Sequence, residues 1–400
     1  MSVSQPYNSW VEVDVSVLAA NIRALRSALS PQSQVIFVVK SNAYGHNLQA
    51  TAREAAAAGI RWFGVAHLHE ALAIRAIIPH VNILVMGAVD PQQASLLARE
   101  NITPMIMGAE HGEAIAAVAR QAGVKVEGHL KVDTGMGRLG VLWQDAVATY
   151  RFLSQQDGLS LTGLCSHFAA VEPRQPERAE TQVERFLEAA DAIEAMHEGP
   201  LMKHISSSRA ISYHKEWDFD AVRPGICLYG YGASDPAMRF QTRPVLQWKC
   251  RVMQVKDVPA DFPVGYYGTY KTEAPTRMAI LSAGYADGYH RALSNRGHVL
   301  IRGRRCRVIG RVSMNWITVD VGQVGDVAAG DEAVLIGQQG SESVWAGELA
   351  RICRTIPYEI LVGIHSQAPR SLHAHNVESE LDYINWGQLL PEPTDTPRAT

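Results

Sequence analysis

Eight short apolar runs, each separated from the next by a helical or turn-rich stretch, occupy residues 35–229 of the chain. They fall at 35–40, 62–66, 82–87, 102–107, 126–132, 161–167, 203–207 and 221–229. Each has strand length and is rich in β-branched residues, as expected of strands buried on both faces. Amphipathic helix patterns separate most of them. In 178–197, for example, Val183, Phe186, Leu187, Ala190 and Ile193 share one face. Eight β/α alternations imply a (β/α)8 TIM-type barrel, α/β in class. The doubly wound open sheet is the alternative, and no Gly-x-Gly-x-x-Gly turn after the first strand supports it. Ahead of the first run, residues 10–15 alternate like a strand. Asp14 to Ser16 then offer a helix cap, and Leu18, Ile22, Leu25 and Leu29 carry a helical stripe.

Near residue 240 the texture changes. Short strand patterns at 245–256, 278–283, 298–301, 307–312, 316–321 and 332–336 are split by Gly, Pro, Asp and Asn, with one short helix pattern at 346–353. The expected organisation is a barrel over 1–240, a mostly β C-terminal domain over 241–370, and a polar tail over 371–400 with one docked piece at 381–386. At 400 residues the chain exceeds one typical domain. A net charge of −3 leaves no basic footprint for nucleic acid. No apolar run reaches membrane-spanning length, and the polar N-terminus carries no secretory pattern. The five cysteines are scattered without a Cys-x-x-Cys pair, so no disulfide framework or metal site is indicated and a cytoplasmic protein is expected.

The carboxyl ends of barrel strands carry active sites, and the residues there are distinctive. The first run ends in Val38-Val39-Lys40-Ser41-Asn42-Ala43-Tyr44-Gly45-His46. Lys40 either closes a strand at the surface or, desolvated beside the interior, is an amine of lowered pKa able to form a Schiff base. Lys131-Val132-Asp133-Thr134-Gly135-Met136-Gly137-Arg138-Leu139-Gly140 follows the fifth run. It is either a structural loop or a device that sets Arg138 over the mouth to fork onto a carboxylate or phenolate. Ser166-His167-Phe168 ends the sixth. His204-Ile205-Ser206-Ser207-Ser208 ends the seventh, where hydroxyls at a helix start either cap it or bind an anion. Arg223-Pro224-Gly225-Ile226 lies at the eighth. The loops after strands seven and eight are where barrels commonly bind phosphate. The second domain adds Gly265-Tyr266-Tyr267-Gly268, Gly284-Tyr285-Ala286-Asp287-Gly288-Tyr289 and Ile356-Pro357-Tyr358-Glu359. A catalytic tyrosine there would need a cationic neighbour to lower its pKa.

Together and in this order, these segments and Arg311-Val312-Ser313-Met314 resemble alanine racemase, a fold-type III pyridoxal-phosphate enzyme, from about residue 10 to 370. The resemblance implies that Lys40 holds pyridoxal 5′-phosphate covalently and serves as one catalytic base. Tyr266, from a second subunit's β-domain, would be the opposite base, which makes a homodimer with shared sites part of the mechanism. Arg223 would face the pyridine nitrogen, with His167 beside the ring. Tyr44, Ser208, Gly225, Ile226 and Tyr358 would hold the phosphate. Arg138 and Met314 would meet the substrate carboxylate, and Lys131 corresponds to a lysine that can be carbamylated. Glu172, His204, Arg291 and Arg311 match residues of the family's entrance corridor, with Tyr285 at its inner rim. No metal is implied. Racemisation needs a base on each face of a planar carbanion, which is why Lys40 and Tyr266 must oppose each other. An arginine at the pyridine nitrogen stays protonated and cannot act as an acid there. The ring then withdraws fewer electrons, which disfavours side reactions.

Some positions depart from the family pattern. Ser207 stands where asparagine is expected, Asn315 where aspartate is expected, and Tyr267 where a small residue is expected. The activity implied is interconversion of L- and D-alanine, feeding peptidoglycan or serving alanine catabolism. The alternatives are a racemase of another small amino acid such as serine, a fold-type III decarboxylase, and a non-catalytic pyridoxal-phosphate protein. A decarboxylase would need its own cysteine-based motif near the C-terminus, and the neighbourhood of Cys353 shows none. A single-domain carrier would have no use for the second domain.

Overall fold

A computed structural model describes residues 7–172, 176–231, 237–374 and 377–380. Eight parallel strands follow one another around the first unit. They are Gln34–Val38, Trp62–Val65, Asn82–Val85, Ile102–Ile106, Val126–Asp133, Leu159–Cys165, Met202–His204 and Ala221–Val222. The eighth pairs in parallel with the first, Ala221 opposite Gln34, and the ring closes between the seventh and eighth through Arg223 N–H to the Ser206 carbonyl. The last two strands are shorter than their apolar runs suggest. Residues 226–229 turn rather than extend, each amide from Leu228 to Gly230 bonding three residues back.

Alternation along each strand sorts the side chains. In the first strand Val35 and Phe37 face the large core under the helices, while Ile36 joins Leu84, Met105, Cys165 and Ala221 in a small second cluster. That second set is the barrel interior. Its upper layer is polar: His129, Lys131, His204 and Arg223 are all buried. The barrel is therefore plugged with hydrocarbon below and with titratable groups at the mouth.

The second unit is built on a ten-stranded sheet around the long strand Leu246–Val258. Ser9–Asp14, which the sequence reading groups with the barrel, lies in this sheet instead. It pairs antiparallel with Leu246–Val258 and parallel with Arg370–Ala374. Its pairing buries Trp10, Val11 and Val13. Asp14 ends this strand and caps the helix Val15–Ala28, accepting from Ser16 and Val17 amides. Residues 371–374, expected as tail, are thus sheet, and Val377–Glu380 pairs back on them. The piece expected at 381–386 lies outside the described residues. Two short helices, Ala346–Cys353 and Pro357–Val362, pack together, and the second reaches the barrel mouth. Among the described residues no helix is long and apolar enough to cross a membrane.

Candidate active site

Lys40 does not end its strand. It opens a turn of the opposite hand. Ser41, Asn42, Ala43 and Tyr44 all have positive φ, 52° to 55°. Four consecutive non-glycine residues in the left-handed region cost roughly 1–2 kcal/mol each. Side chains and backbone hold the turn closed. Asn42 Oδ1 accepts from Leu48 N at 2.8 Å, Ala43 N donates to Val39 O at 2.8 Å, and Glu70 Oε1 accepts from Ser41 N at 2.6 Å. Gly45 follows at φ 85°, and a Cβ there would meet the Leu361 carbonyl at 2.5 Å. Strain held in this way at one point of a scaffold marks a functional site.

The turn faces a cavity of about 330 Å³ at the carboxyl ends of the strands. Lys40, Tyr44, Lys131, Arg138, His167, Ser208, Arg223, Gly225 and Tyr358 all line it. The lining carries two lysines and two arginines and no carboxylate. The acids nearby are occupied elsewhere. Asp133 accepts from the amides of Gly135, Met136, Gly137 and Arg138, which folds the glycine loop under Arg138. Burial alone would raise the Asp133 pKa, and the four amide bonds outweigh it and hold it low.

Arg223 is the deepest cation. It donates to the carbonyls of Ser166, His204 and Ile205 and to the rings of His204 and His167. Among the described residues it therefore has hydrogen-bond partners but no counter-charge. Burial first, and then this positive field, keep the imidazoles neutral: His167 is driven to about 3 and His129 to about 4, and His204 also falls far below its usual value. Since Arg223 can only donate, His204 Nδ1 must accept. Its Nε2–H then faces His129 Nδ1 at 2.8 Å. Lys40 is lowered by burial and then by Arg138, against an opposing pull from Glu70. Lys131 falls to about 8, chiefly by burial.

His204 is a correction. Expected at an entrance, it is fully buried beneath Arg223, because its strand turns it into the barrel interior. Ile226 packs in the core with its side chain outside the cavity. Glu172 is exposed and pairs with Arg209 at 3.2 Å.

Tyr266, Tyr285, Arg291, Arg311 and Met314 do not line this cavity. They gather on one face of the second unit. Tyr285 and Ala286 amides donate to Ser313 and Met314 carbonyls. Gly310 N and Val312 N donate to Asn295 Oδ1 and Ser294 Oγ, tying the Arg291 turn to the Arg311 segment. The Arg311 guanidinium stacks 4.7 Å from the Tyr267 ring centroid. Tyr266 and Tyr267 are 65% and 86% exposed, and Met314 is also exposed. Tyr358 alone of the second unit's candidates reaches the cavity, its ring 5.8 Å from that of Tyr44.

Several residues escaped the sequence reading. Gln182 bridges the Thr134 hydroxyl and the His167 carbonyl, and Arg185 donates to the Thr134 carbonyl. Buried Arg370 donates to the Gly45 carbonyl and to four carbonyls between 364 and 368, pinning the Tyr358 region to the left-handed turn. Asp133 before Gly-x-Gly carried a readable signal, an acid able to accept from its own loop. Gln182 and Arg370 act at long range and had none.

A barrel whose cationic mouth is built around one desolvated lysine, followed by a β unit, defines a lysine-centred barrel enzyme of two domains. Family models agree on which one. "Alanine racemase, N-terminal domain" matches residues 13–233 and "Alanine racemase, C-terminal domain" matches 245–372. The chain belongs to the alanine racemase family. It is 39% identical over 370 residues to an alanine racemase from Syntrophobacter fumaroxidans, covering 92% of this chain and 98% of that one. An alanine racemase structure from Bacillus anthracis with bound L-Ala-P superposes with a TM-score of 0.88 at 29% identity, over 96% and 100% of the two chains. One from Bartonella henselae with covalently bound pyridoxal phosphate gives 0.81 at 27%, over 92% and 100%.

Members of this family use pyridoxal phosphate, and the residues present fit it. Ser208 Oγ accepts from Gly225 N at 2.9 Å and Cys227 N at 3.3 Å, which leaves its own proton free to donate. Gly225 is needed bare, since a Cβ there would lie 2.6 Å from Tyr44 Oη. Burial raises the Tyr44 and Tyr358 pKa values, so both remain hydroxyl donors. A cluster of donors beside four cations that have no ion pair among the described residues suits a phosphorylated, anionic group.

Proposed function

We propose that this chain interconverts L- and D-alanine with pyridoxal phosphate. The observation that carries the reading is Lys40, presented by a strained turn to a cavity with four cations and no carboxylate. Pyridoxal phosphate, when bound to Lys40, supplies the electron sink that lets an α-proton leave. Tyr44, Ser208, Tyr358 and the Gly225–Ile226 backbone would hold its phosphate, with Arg223 and His167 about its ring. The Lys40 amine takes or returns the proton at Nζ on one face of the substrate, and burial, then Arg138, lower its pKa and so ease the proton's release. Arg138 orients the substrate carboxylate.

Tyr266 Oη serves the other face, and a second copy of the chain supplies it. Its exposure on a stapled face apart from the Lys40 cavity of its own chain supports this reading. Met314, Tyr285, Arg291 and Arg311 share that face and would complete the substrate end and entrance with Glu172. Lys131, near 8, has a neutral fraction able to add carbon dioxide. The resulting carbamate would set a negative charge beside Arg138. The working unit is therefore a homodimer.

The test is circular dichroism of L-alanine, and separately L-serine, incubated with the protein and pyridoxal phosphate. Decay of the alanine signal to zero is expected. A persistent alanine signal overturns the assignment, and decay with serine alone moves it to another small amino acid.

A further inference from the structure

The backbone amide beside Lys40 is held by a side chain that lies outside the cavity. Glu70 is 4% exposed and sits in the first turn of the helix Leu68–Arg75. Its Oε2 accepts from Ala66 N at 2.9 Å and His67 N at 3.1 Å. Those two bonds are all that capping its own helix requires. Its Oε1 is left over, and it turns to the neighbouring strand to accept from Ser41 N at 2.6 Å. One buried carboxylate thus ties together the chain leaving two adjacent barrel strands, Gln34–Val38 and Trp62–Val65.

Ser41 is the first residue of the left-handed turn, at φ 55°. A turn of that hand relaxes unless its amides are held. Asn42 Oδ1, bound to Leu48 N, holds the middle, and Arg370, bound to the Gly45 carbonyl, holds the far end. At the near end the Ser41 amide has Glu70. Its charge also reaches Lys40: Glu70 opposes the lowering of the Lys40 pKa by burial and by Arg138.

We propose that Glu70 is a positioning residue for Lys40. By holding the Ser41 amide it keeps the start of the turn in place and so fixes where Nζ meets the cofactor's carbonyl carbon. The proposal rests on the reading of Lys40 as the cofactor lysine.

Glu70→Gln tests it. Glutamine has one acceptor oxygen, so it can serve the cap or Ser41, and its NH2 then faces the remaining amide donor to donor. Glu70→Asp is the second variant. It keeps the charge and the short reach to its own helix, but it is one carbon too short for Ser41. Apoprotein of each is mixed with pyridoxal phosphate, and the visible absorbance of the lysine-linked cofactor is followed in time. The kcat and KM for alanine and the thermal melt are measured alongside. Both variants are expected to form the linkage at least about tenfold more slowly and to lose kcat similarly, since a small misplacement of a reacting group is costly. The KM should move less than about threefold, because Glu70 does not touch the substrate, and the Asp variant's melt should stay near wild type. Linkage and turnover at wild-type rates, with only a lowered melt, would make Glu70 a helix cap and overturn the proposal. If the wild-type protein itself forms no lysine-linked absorbance, the reading of Lys40 falls first, and the Glu70 proposal falls with it.

Discussion

The barrel mouth and the tyrosine face of the second unit carry the two halves of the candidate chemistry, and they are built by opposite means. At the mouth the groups that support the lining are bonded in place. Asp133 folds one loop, Gln182 joins two, Glu70 and Arg370 clamp the turn after Lys40, and Arg223 is locked among carbonyls and neutral imidazoles. On the second face Tyr266, Tyr267, Tyr285 and Met314 project outward from turns whose backbones are stapled but whose side chains are largely bare. A buried, cation-rich mouth can organise an anionic group by itself. Exposed aromatic side chains on fixed turns gain a defined environment only when something covers them. The difference fits the proposal that the first half is complete within one chain and that the second is completed by contact with another.

The largest expected effect is at the complete half. Lys40→Ala should remove alanine racemisation by about 10⁴-fold or more, followed by circular dichroism, because one amine both holds the cofactor and moves the proton. Tyr266→Phe should cost about 10²- to 10⁴-fold while the cofactor absorbance stays intact. If Tyr266→Phe turned over normally, the exposed half would be mere surface. Gly225→Ala drives a Cβ into Tyr44 Oη. Overpacking of that kind costs about 1–3 kcal/mol, so titration with pyridoxal phosphate should report about tenfold weaker binding with the fold retained.

The smallest effect sharpens the electrostatic side. His167 and His129 titrate near 3 and 4 when folded, below their usual value near 6.5, so the unfolded chain binds more protons between those limits. Stability is therefore full above about 6.5 and is lost as pH falls toward 4, by up to about 1.4 kcal/mol per pH unit for each such histidine. Thermal melts from pH 7 to 4 should fall, and His129→Gln should flatten the slope. An unchanged slope would mean that the buried imidazoles are not held neutral.

Much of this could be read from the chain. Eight apolar runs separated by helical or turn-rich stretches leave a barrel as the economical solution, and Lys40, Arg138, His167, Ser208 and Arg223 converge because residues at strand ends of a barrel share one mouth. What stayed hidden depends on contacts that local pattern does not encode. Ser9–Asp14 has the alternation of any strand, and only its pairing with Leu246–Val258 assigns it to the second sheet. His204 stands among polar residues in sequence, yet strand geometry turns it beneath Arg223. The left-handed turn at 41–44 contains no glycine, the usual marker of positive φ, and is held by Asn42 within it and by Glu70 and Arg370 from outside.

In the proposed enzyme each working site joins the Lys40 mouth of one chain to the Tyr266 of another. Subunit exchange between Lys40→Ala and Tyr266→Phe proteins, each inactive alone, tests it most directly. In a hybrid dimer one site would lose both groups and the other would keep both. Full exchange makes about half the dimers hybrids, so activity should return to about a quarter of the wild-type value. A mixture as inactive as its two components would contradict the account, placing both groups in a single chain's site or Tyr266 outside the chemistry.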